Sequence, residues 1–387
     1  MKKHIILVMS LFLVFIFPMS VFADDISVNG NEHIDKENII KVYENFIEDI
    51  ISNDETTTWT SDTVIDNIVE TYDVDGNINA YILNLKTKGS PTGYILIEAF
   101  DTENPSIAEF GYDGVYFITN ENINKNINEK NIIYTGNREF VIEDNGAYIN
   151  AENNEKTNIS KEELREDYLN QISINNSEVL QKKIEKSLTS TNVNTKQVIY
   201  SSGSLPNLWA GGSYAKDFSP MKTDDFSGYS NHCVPTCGIN MLKYWAERRG
   251  KTNLIYTNNY SNAFAHLSVK MNHSNSSGVS DINGYNGMRS YISSYKLRAQ
   301  AGSDYATQSK FTWNWITTEI NNGNALYIGK SLKDYDGRTG YHAFLGVGYQ
   351  SNSDGEYIRV CDNWDTSLSH FVKYRWSNID AIWYLRW

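Results

Sequence analysis

From Ala325 onward the chain runs as short apolar segments broken by turn residues, and this pattern constrains the fold most. The segments are Ala325 to Ile328, His342 to Tyr349, Tyr357 to Asp362, His370 to Tyr374 and Ala381 to Leu385. Asp354-Gly355 reads as a turn between the second and third, so an antiparallel arrangement is expected. Pairing Tyr349 with Tyr357 across that turn puts Asp362 opposite Phe344. His342, Phe344 and Asp362 then share one face of the sheet, and Cys361 points to the other. Ahead of the strands lies an amphipathic helix that opens at Cys233 and runs to about Arg249. Pro235 falls in its first turn, where a missing N–H costs nothing. Cys237, Met241, Leu242 and Trp245 make its apolar stripe, Arg248 and Arg249 sit at its negative end, and Gly250 caps it. Phe311 to Asn321 reads as another helix, stopped by Asn322-Gly323.

The N-terminus is set aside from the fold. Lys2 and Lys3, an apolar run from Ile5 to Phe17, and Val21-Phe-Ala23 before Asp24-Asp25 have the pattern of a secretory signal peptide over residues 1–23. The run is too short to span a bilayer comfortably, so no membrane attachment is expected after cleavage. About 360 residues remain, enough for two domains. A polar stretch from Ser187 to Lys196 reads as the linker between them. The expected organisation is an acidic domain over 24–196 and a second domain over 197–387.

Charge separates the two. Asp24 to Tyr200 carries 33 Asp and Glu against 14 Lys and Arg, a net of −19; Ser201 to Trp387 carries 14 against 18, a net of +4. Opposite charge favours docking of one half on the other. The acidic balance and the lack of a basic cluster argue against nucleic acid as a partner. Eight of the nine tryptophans and all three cysteines lie in the second half. Three is an odd and small number for a disulfide framework, so a free thiol in an exported protein is expected. The Asn-, Ile- and Lys-rich composition suits a bacterial source.

The first half is expected to be α+β. Ile39, Ile40, Tyr43, Phe46, Ile47, Ile50 and Ile51 recur at helical spacing within Asp35 to Ile51. Asp75-Gly76 marks a hairpin turn, Ile78 to Leu85 a strand, and Gly89 to Gly93 a second turn. Strands are expected at Tyr94 to Glu98 and Gly114 to Ile118. Ser160 with Glu163 forms a capping box before a helix near Lys161 to Ile172. This half offers His33 as its one histidine and no cysteine, hence no catalytic constellation.

The chemistry therefore concentrates on Cys233. A thiol reacts as its thiolate, and a helix N-terminus favours the anion. Cys237, one turn further on, and Cys361 read as packing. A zinc half-site, Cys233-x3-Cys237, lacks a second pair of ligands, so no metal and no cofactor are expected. Among the histidines, His232 adjoins the thiol but its side chain diverges from it. His266 and His273 fall in a polar, loop-like region, and His370 has no acid arranged after it. His342 opens an apolar strand and is the candidate base, with Asp362 to orient it and Asn363 as the alternative third member. Trp364 is placed to shield the His–Asp hydrogen bond.

These motifs resemble known families. Cys233-Val-Pro-Thr through Trp245 is similar to the Cys-Gly-Pro-Thr/Ala nucleophile helix of the bacteriocin-processing-like papain-fold peptidases. It is also similar to the Cys-Val-Ala-Thr helix of streptopain. His342-Ala-Phe resembles the histidine motif of both, and Asp362-Asn-Trp364 resembles the Asp-Pro-Trp of the first family and the Asn-Ser-Trp of papain. Gly93-Tyr-Ile-Leu-Ile and Phe110-Gly-Tyr-Asp-Gly114 resemble the streptopain propeptide. The resemblance implies a papain-like domain preceded by an α+β propeptide domain docked on it. It implies a secreted, monomeric cysteine peptidase made as a zymogen, acting on a peptide or protein through Cys233, His342 and Asp362. One feature departs from these families. They place a Gln before the nucleophile to complete the oxyanion hole, and Ser201 to His232 holds only Asn207 and Asn231 as amides. The alternatives are a cell-wall amidase or transglutaminase-like acyltransferase with the same triad, and a secreted binding module that has lost catalysis.

Overall fold

Helix α1 (Lys36–Asn53) turns Ile39, Tyr43, Phe46, Ile47 and Ile50 inward at the spacing the sequence predicts, leaving Ile40 on the outer side. A computed structural model describes residues 36–100, 105–116, 118, 132–136, 139–144, 146–151, 159–166, 168–169, 172, 200–209, 217–294, 300–302, 311–333, 339–374, 379 and 381–386. The signal-like segment 1–23 and the linker 187–196 lie outside them.

After α1 come β1 (Thr63–Tyr72) and β2 (Ile78–Thr87), joined as a hairpin. Asp73 shapes its turn: its carboxylate accepts from the amides of Asp75 and Asn77, both at 2.9 Å, and Gly76 takes a φ of 85°. The next turn is tighter than expected. Lys88 and Gly89 alone make it, at φ 52° and 84°, so β3 (Ser90–Glu98) already includes Ser90 to Gly93. The strand expected at Gly114 to Ile118 forms earlier, as β4 (Ser106–Gly111), and Gly114 at φ 67° turns the chain away. The earlier segment wins because Ile107 to Gly111 is buried throughout, with β3 on one side and another strand on the other. Then follow β5 (Ile132–Gly136), β6 (Glu139–Asp144) and β7 (Ala147–Asn150). Helix α2 (161–166) starts with the expected capping box: Glu163 N–H donates to Ser160 Oγ at 3.2 Å, and Ser160 N–H to Glu163 Oε2 at 2.7 Å.

The second half opens with β8 (Ser201–Ser204) and α3 (Cys233–Arg248). Two helices then follow, α4 (Tyr260–Lys270) and α5 (Asp281–Ser294), and His266, expected in a loop-like region, lies on the first. Helix α5 is rich in Asn, Ser and Gly, and α4 interrupts its apolar residues with Ser, Asn and His, so no strong apolar stripe announces them; α4 is capped by Asn259, whose side chain accepts from Asn262 N–H at 2.9 Å. Gly238 on α3 lets α4 approach, since a Cβ there would meet Leu267 Cδ2 at 2.9 Å. Next come β9 (Gln300–Gly302), α6 (Trp313–Asn321), β10 (Leu326–Lys333), β11 (Thr339–Ser351), β12 (Glu356–Cys361), β13 (His370–Lys373) and β14 (Ala381–Arg386).

All strands join one sheet in the order β7-β6-β5-β1-β2-β3-β4-β13-β12-β11-β10-β14-β9, with β8 added on β11. The halves meet at β4–β13, where Gly111 pairs His370, Phe110 pairs Phe371 and Glu109 pairs Val372. Phe110 stacks on Phe371 with ring centroids 4.6 Å apart and meets Tyr357 edge-on at 5.1 Å. One apolar cluster contains Ile39, Phe46, Trp59 and Phe110 of the first half together with Tyr357 and Phe371 of the second. Polar groups cross the junction too. Gln350 Nε2 donates to Asp54 Oδ2 at 2.7 Å and to the Tyr112 and Tyr200 hydroxyls at 3.0 and 2.7 Å. Arg359, 3% exposed, packs its guanidinium against Trp209 and Phe371 and reaches Thr56 Oγ1 at 3.3 Å. The two halves thus share a core.

Candidate active site

Cys233 is the first residue of α3, whose opening bond runs from Thr236 N–H to the His232 carbonyl at 2.9 Å. The sequence suggests a stripe-faced helix, but α3 is buried on almost every side from Val234 to Ala246. Such a helix runs through a core rather than along a surface. Cys233 at its start is half-buried, whereas Cys237 and Cys361 are fully buried. Burial, above all, pushes both of those thiols well above the ordinary range and keeps them neutral. The Cys233 charge adds to the rise at Cys237, as expected of neighbours one turn apart.

Cys237 also fixes where the helix sits. Its Sγ donates to the Phe344 carbonyl at 3.2 Å, tying α3 to β11. Cys233 lies four residues from that anchor, about 6 Å along a helix. His342 lies two residues from it, about 6.8 Å along a strand. One contact therefore anchors the element that carries the thiol and the element that carries the imidazole.

The strand register differs from expectation at its far end and agrees at the site. Tyr349 pairs with Ile358, not Tyr357. A bulge between Gly346 and Gly348 absorbs the one-residue difference, and Leu345 pairs with Cys361. The bulge sits where β11 changes neighbours: β10 pairs with it up to Gly346 and β8 from Gly348 onward. Asp362, one residue past β12, is thereby brought opposite Phe344.

His342 is 6% exposed and enclosed by aromatic rings. Trp364 stacks on it at 4.2 Å and 22°, and Phe344 meets it edge-on at 4.6 Å. His342 Nε2 lies 3.0 Å from the main-chain carbonyl of Asp362. A carbonyl only accepts, so Nε2 carries the hydrogen and the neutral ring keeps its lone pair on Nδ1.

Asp362 meets His342 at its main-chain carbonyl. Its carboxylate accepts from His370 Nδ1 at 2.8 Å through Oδ2 and from Trp364 N–H at 3.1 Å through Oδ1. Asn363, the alternative, is a brace: fully buried at φ 69°, it donates to the Ala343 carbonyl at 2.6 Å and accepts from Asn240 Nδ2 at 3.0 Å. The brace ties β11, α3 and the loop after β12 together.

The sequence arranges no acidic partner after His370. Its acids precede it: Asp362 at 2.8 Å, Asp365 at 3.5 Å, and Asp113 of the first half at 3.9 Å. The legible signal was the pair of acids, Asp362 and Asp365, in the loop ahead of a strand-opening histidine. Burial holds the Asp365 carboxyl above its usual range, with His370 pulling the other way. Ligating atoms of Asp362, Asp365 and His370 fall within 4.8 Å of one another, a spacing a divalent cation accepts. The direct hydrogen bond between His370 and Asp362 accounts for the grouping. Beside it a cavity of about 350 Å³ opens between the halves, lined by Tyr94, Tyr116, Asp113, Trp364 and Asp365 among others.

The two amides ahead of the thiol each hold a main-chain carbonyl. Asn207 Nδ2 donates to the Arg248 carbonyl, at the far end of α3, and Asn231 Nδ2 to the Asn275 carbonyl at 2.9 Å. His232, next to the thiol, turns its Nδ1 to Thr236 Oγ1 at 3.0 Å, and burial first, then His273, hold its imidazole below the usual range.

A comparison with curated proteins finds no match for this chain. A family model does match, over residues 215–386 and so within the second half. That segment, from the approach to α3 through β14, is similar to the Peptidase_C39 like family, which supports a papain-fold, cysteine peptidase-like domain there.

Proposed function

We propose that this protein is a secreted cysteine peptidase, made as a precursor, with Cys233 as nucleophile, His342 as base and Asp362 as the group that holds His342. The observation that carries the reading is the 3.0 Å contact between His342 Nε2 and the Asp362 carbonyl beneath the Trp364 ring, from which the Nε2–H tautomer follows. It leaves Nδ1 as the basic atom, on a strand anchored to the helix that Cys233 opens.

In this reading Nδ1 of His342 takes the thiol proton and the thiolate attacks the carbonyl carbon of a peptide bond. The Cys233 backbone N–H donates to the resulting oxyanion. The imidazolium then protonates the leaving amine, and the bond between carbon and nitrogen breaks to give a thioester. Water, deprotonated by Nδ1, hydrolyses the thioester and restores the thiol. No cofactor takes part. The substrate is a peptide or protein chain, and the first half acts as a propeptide-like domain docked on the second, with the linker near 187–205 as the place of cleavage. The test is N-terminal sequencing of the secreted protein beside Cys233→Ser, with peptide hydrolysis measured on both. The variant is expected to stay uncut in the linker and to lose hydrolysis by at least 10³-fold. Equal hydrolysis by the two would overturn the reading.

A further inference from the structure

The two hydrogen bonds to Asp362 lie in series. His342 Nε2–H binds its carbonyl, and His370 Nδ1–H binds its carboxylate. Trp364, which covers His342, is held in the same short loop by its own N–H on Asp362 Oδ1. Both contacts that set the orientation of His342 therefore come from a turn whose carboxylate is gripped by His370.

His370 is itself gripped from two sides. It pairs with Val360 of β12 and with Gly111 of β4. The ring of Tyr94 lies edge-on at 5.9 Å, and Asp113 lies 3.9 Å from Nε2; both belong to the first half. Ser367 Oγ donates to Asp113 at 2.9 Å and so ties the loop before β13 to the same half. At 6% exposure, His370 stands at the seam between the halves.

We infer that His370 is a positioning residue for His342, and that through it the first half sets the tautomer of the candidate base. The relay runs from β4 to His370, to the Asp362 carboxylate, to the Asp362 carbonyl and Trp364, and finally to the imidazole of His342. This deepens the peptidase reading and rests on it only for the use to which His342 is put.

The test reads the ring of His342 directly, in the full-length Cys233→Ser protein and without substrate. Nitrogen-15 NMR of the histidine side chains is expected to give the Nε2–H form for His342. His370→Leu removes the donor to Asp362 and is expected to abolish that signature, leaving exchange between the two tautomers. His370→Asn, whose amide nitrogen takes the place of Nδ1, is expected to restore it; His370→Gln, which extends the amide beyond that place, is not. If His370→Leu fails to fold, the contrast between Asn and Gln decides. A folded His370→Leu protein with His342 still wholly Nε2–H, or equal spectra for the Asn and Gln variants, would overturn the inference. Intact coupling in a protein that hydrolyses no peptide would sink the peptidase reading and leave the relay standing.

Discussion

The first half is strongly acidic, lacks cysteine and offers no catalytic constellation, while the second half holds every thiol and the enclosed His342. By chemistry they are separate. By packing they are not: a single sheet crosses from β4 to β13, and Phe110, Phe371 and Tyr357 share one apolar cluster. The contrast teaches that the group doing the chemistry and the unit that folds need not coincide. A segment with no reactive residue can still complete the edge, the core and the loop on which a reactive residue depends.

The largest break in this comparison comes from taking the halves apart. Expressed alone, residues 197–387 would leave β13 with an open edge and expose Phe371, Tyr357, Gln350 and Arg359 to water. Unpaired edges and large apolar patches favour aggregation over folding. The segment is expected to give no cooperative thermal transition and to aggregate. A well-dispersed NMR spectrum from it would show that the halves fold independently.

A smaller perturbation keeps the chain whole. Phe371 is 1% exposed, and Phe371→Ala is expected to destabilise the protein by about 3–5 kcal/mol in urea unfolding. Phe110→Ala should cost a similar amount. Because the two rings stack, the double variant should fall short of the sum by about 0.5–1.5 kcal/mol. Both halves should melt in one transition. Two separate transitions, with Phe371→Ala shifting one of them alone, would divide the core that the structure joins.

Much of the second half was legible in the sequence because it is written in short periods. The 3.6-residue stripe placed α1 and α3 to within two residues, and the period-2 runs placed β11, β12, β13 and β14. The opposition of Asp362 and Phe344 was also legible, although by a route the structure amends: the expected Tyr349–Tyr357 pair is off by one, and the bulge at Val347 restores the register. What was not legible depends on distant partners. Nothing local to Ser106–Gly111 reveals that it lies between β3 and β13, and so the expected strand starts eight residues too late. Helices α4 and α5 are held by packing against α3 and by a cap rather than by a strong stripe of their own. At Asp362 the alternation rule gives the face, while the partners of its atoms depend on distant residues: the carbonyl lies 3.0 Å from His342 Nε2, and the carboxylate accepts from His370, which pairs with β4 of the first half.

The central claim is that Cys233 is an activated thiol served by His342, and the most direct test is the rate of Cys233 alkylation by iodoacetamide across pH in the native protein. Cys237 and Cys361, neutral and fully buried, should stay unlabelled by mass spectrometry. The rate at Cys233 is expected to reach its plateau well below the ordinary thiol midpoint of about 8.5, and His342→Ala to return the profile to that midpoint. A wild-type profile that rises at about 8.5 and is unchanged by His342→Ala would contradict the account.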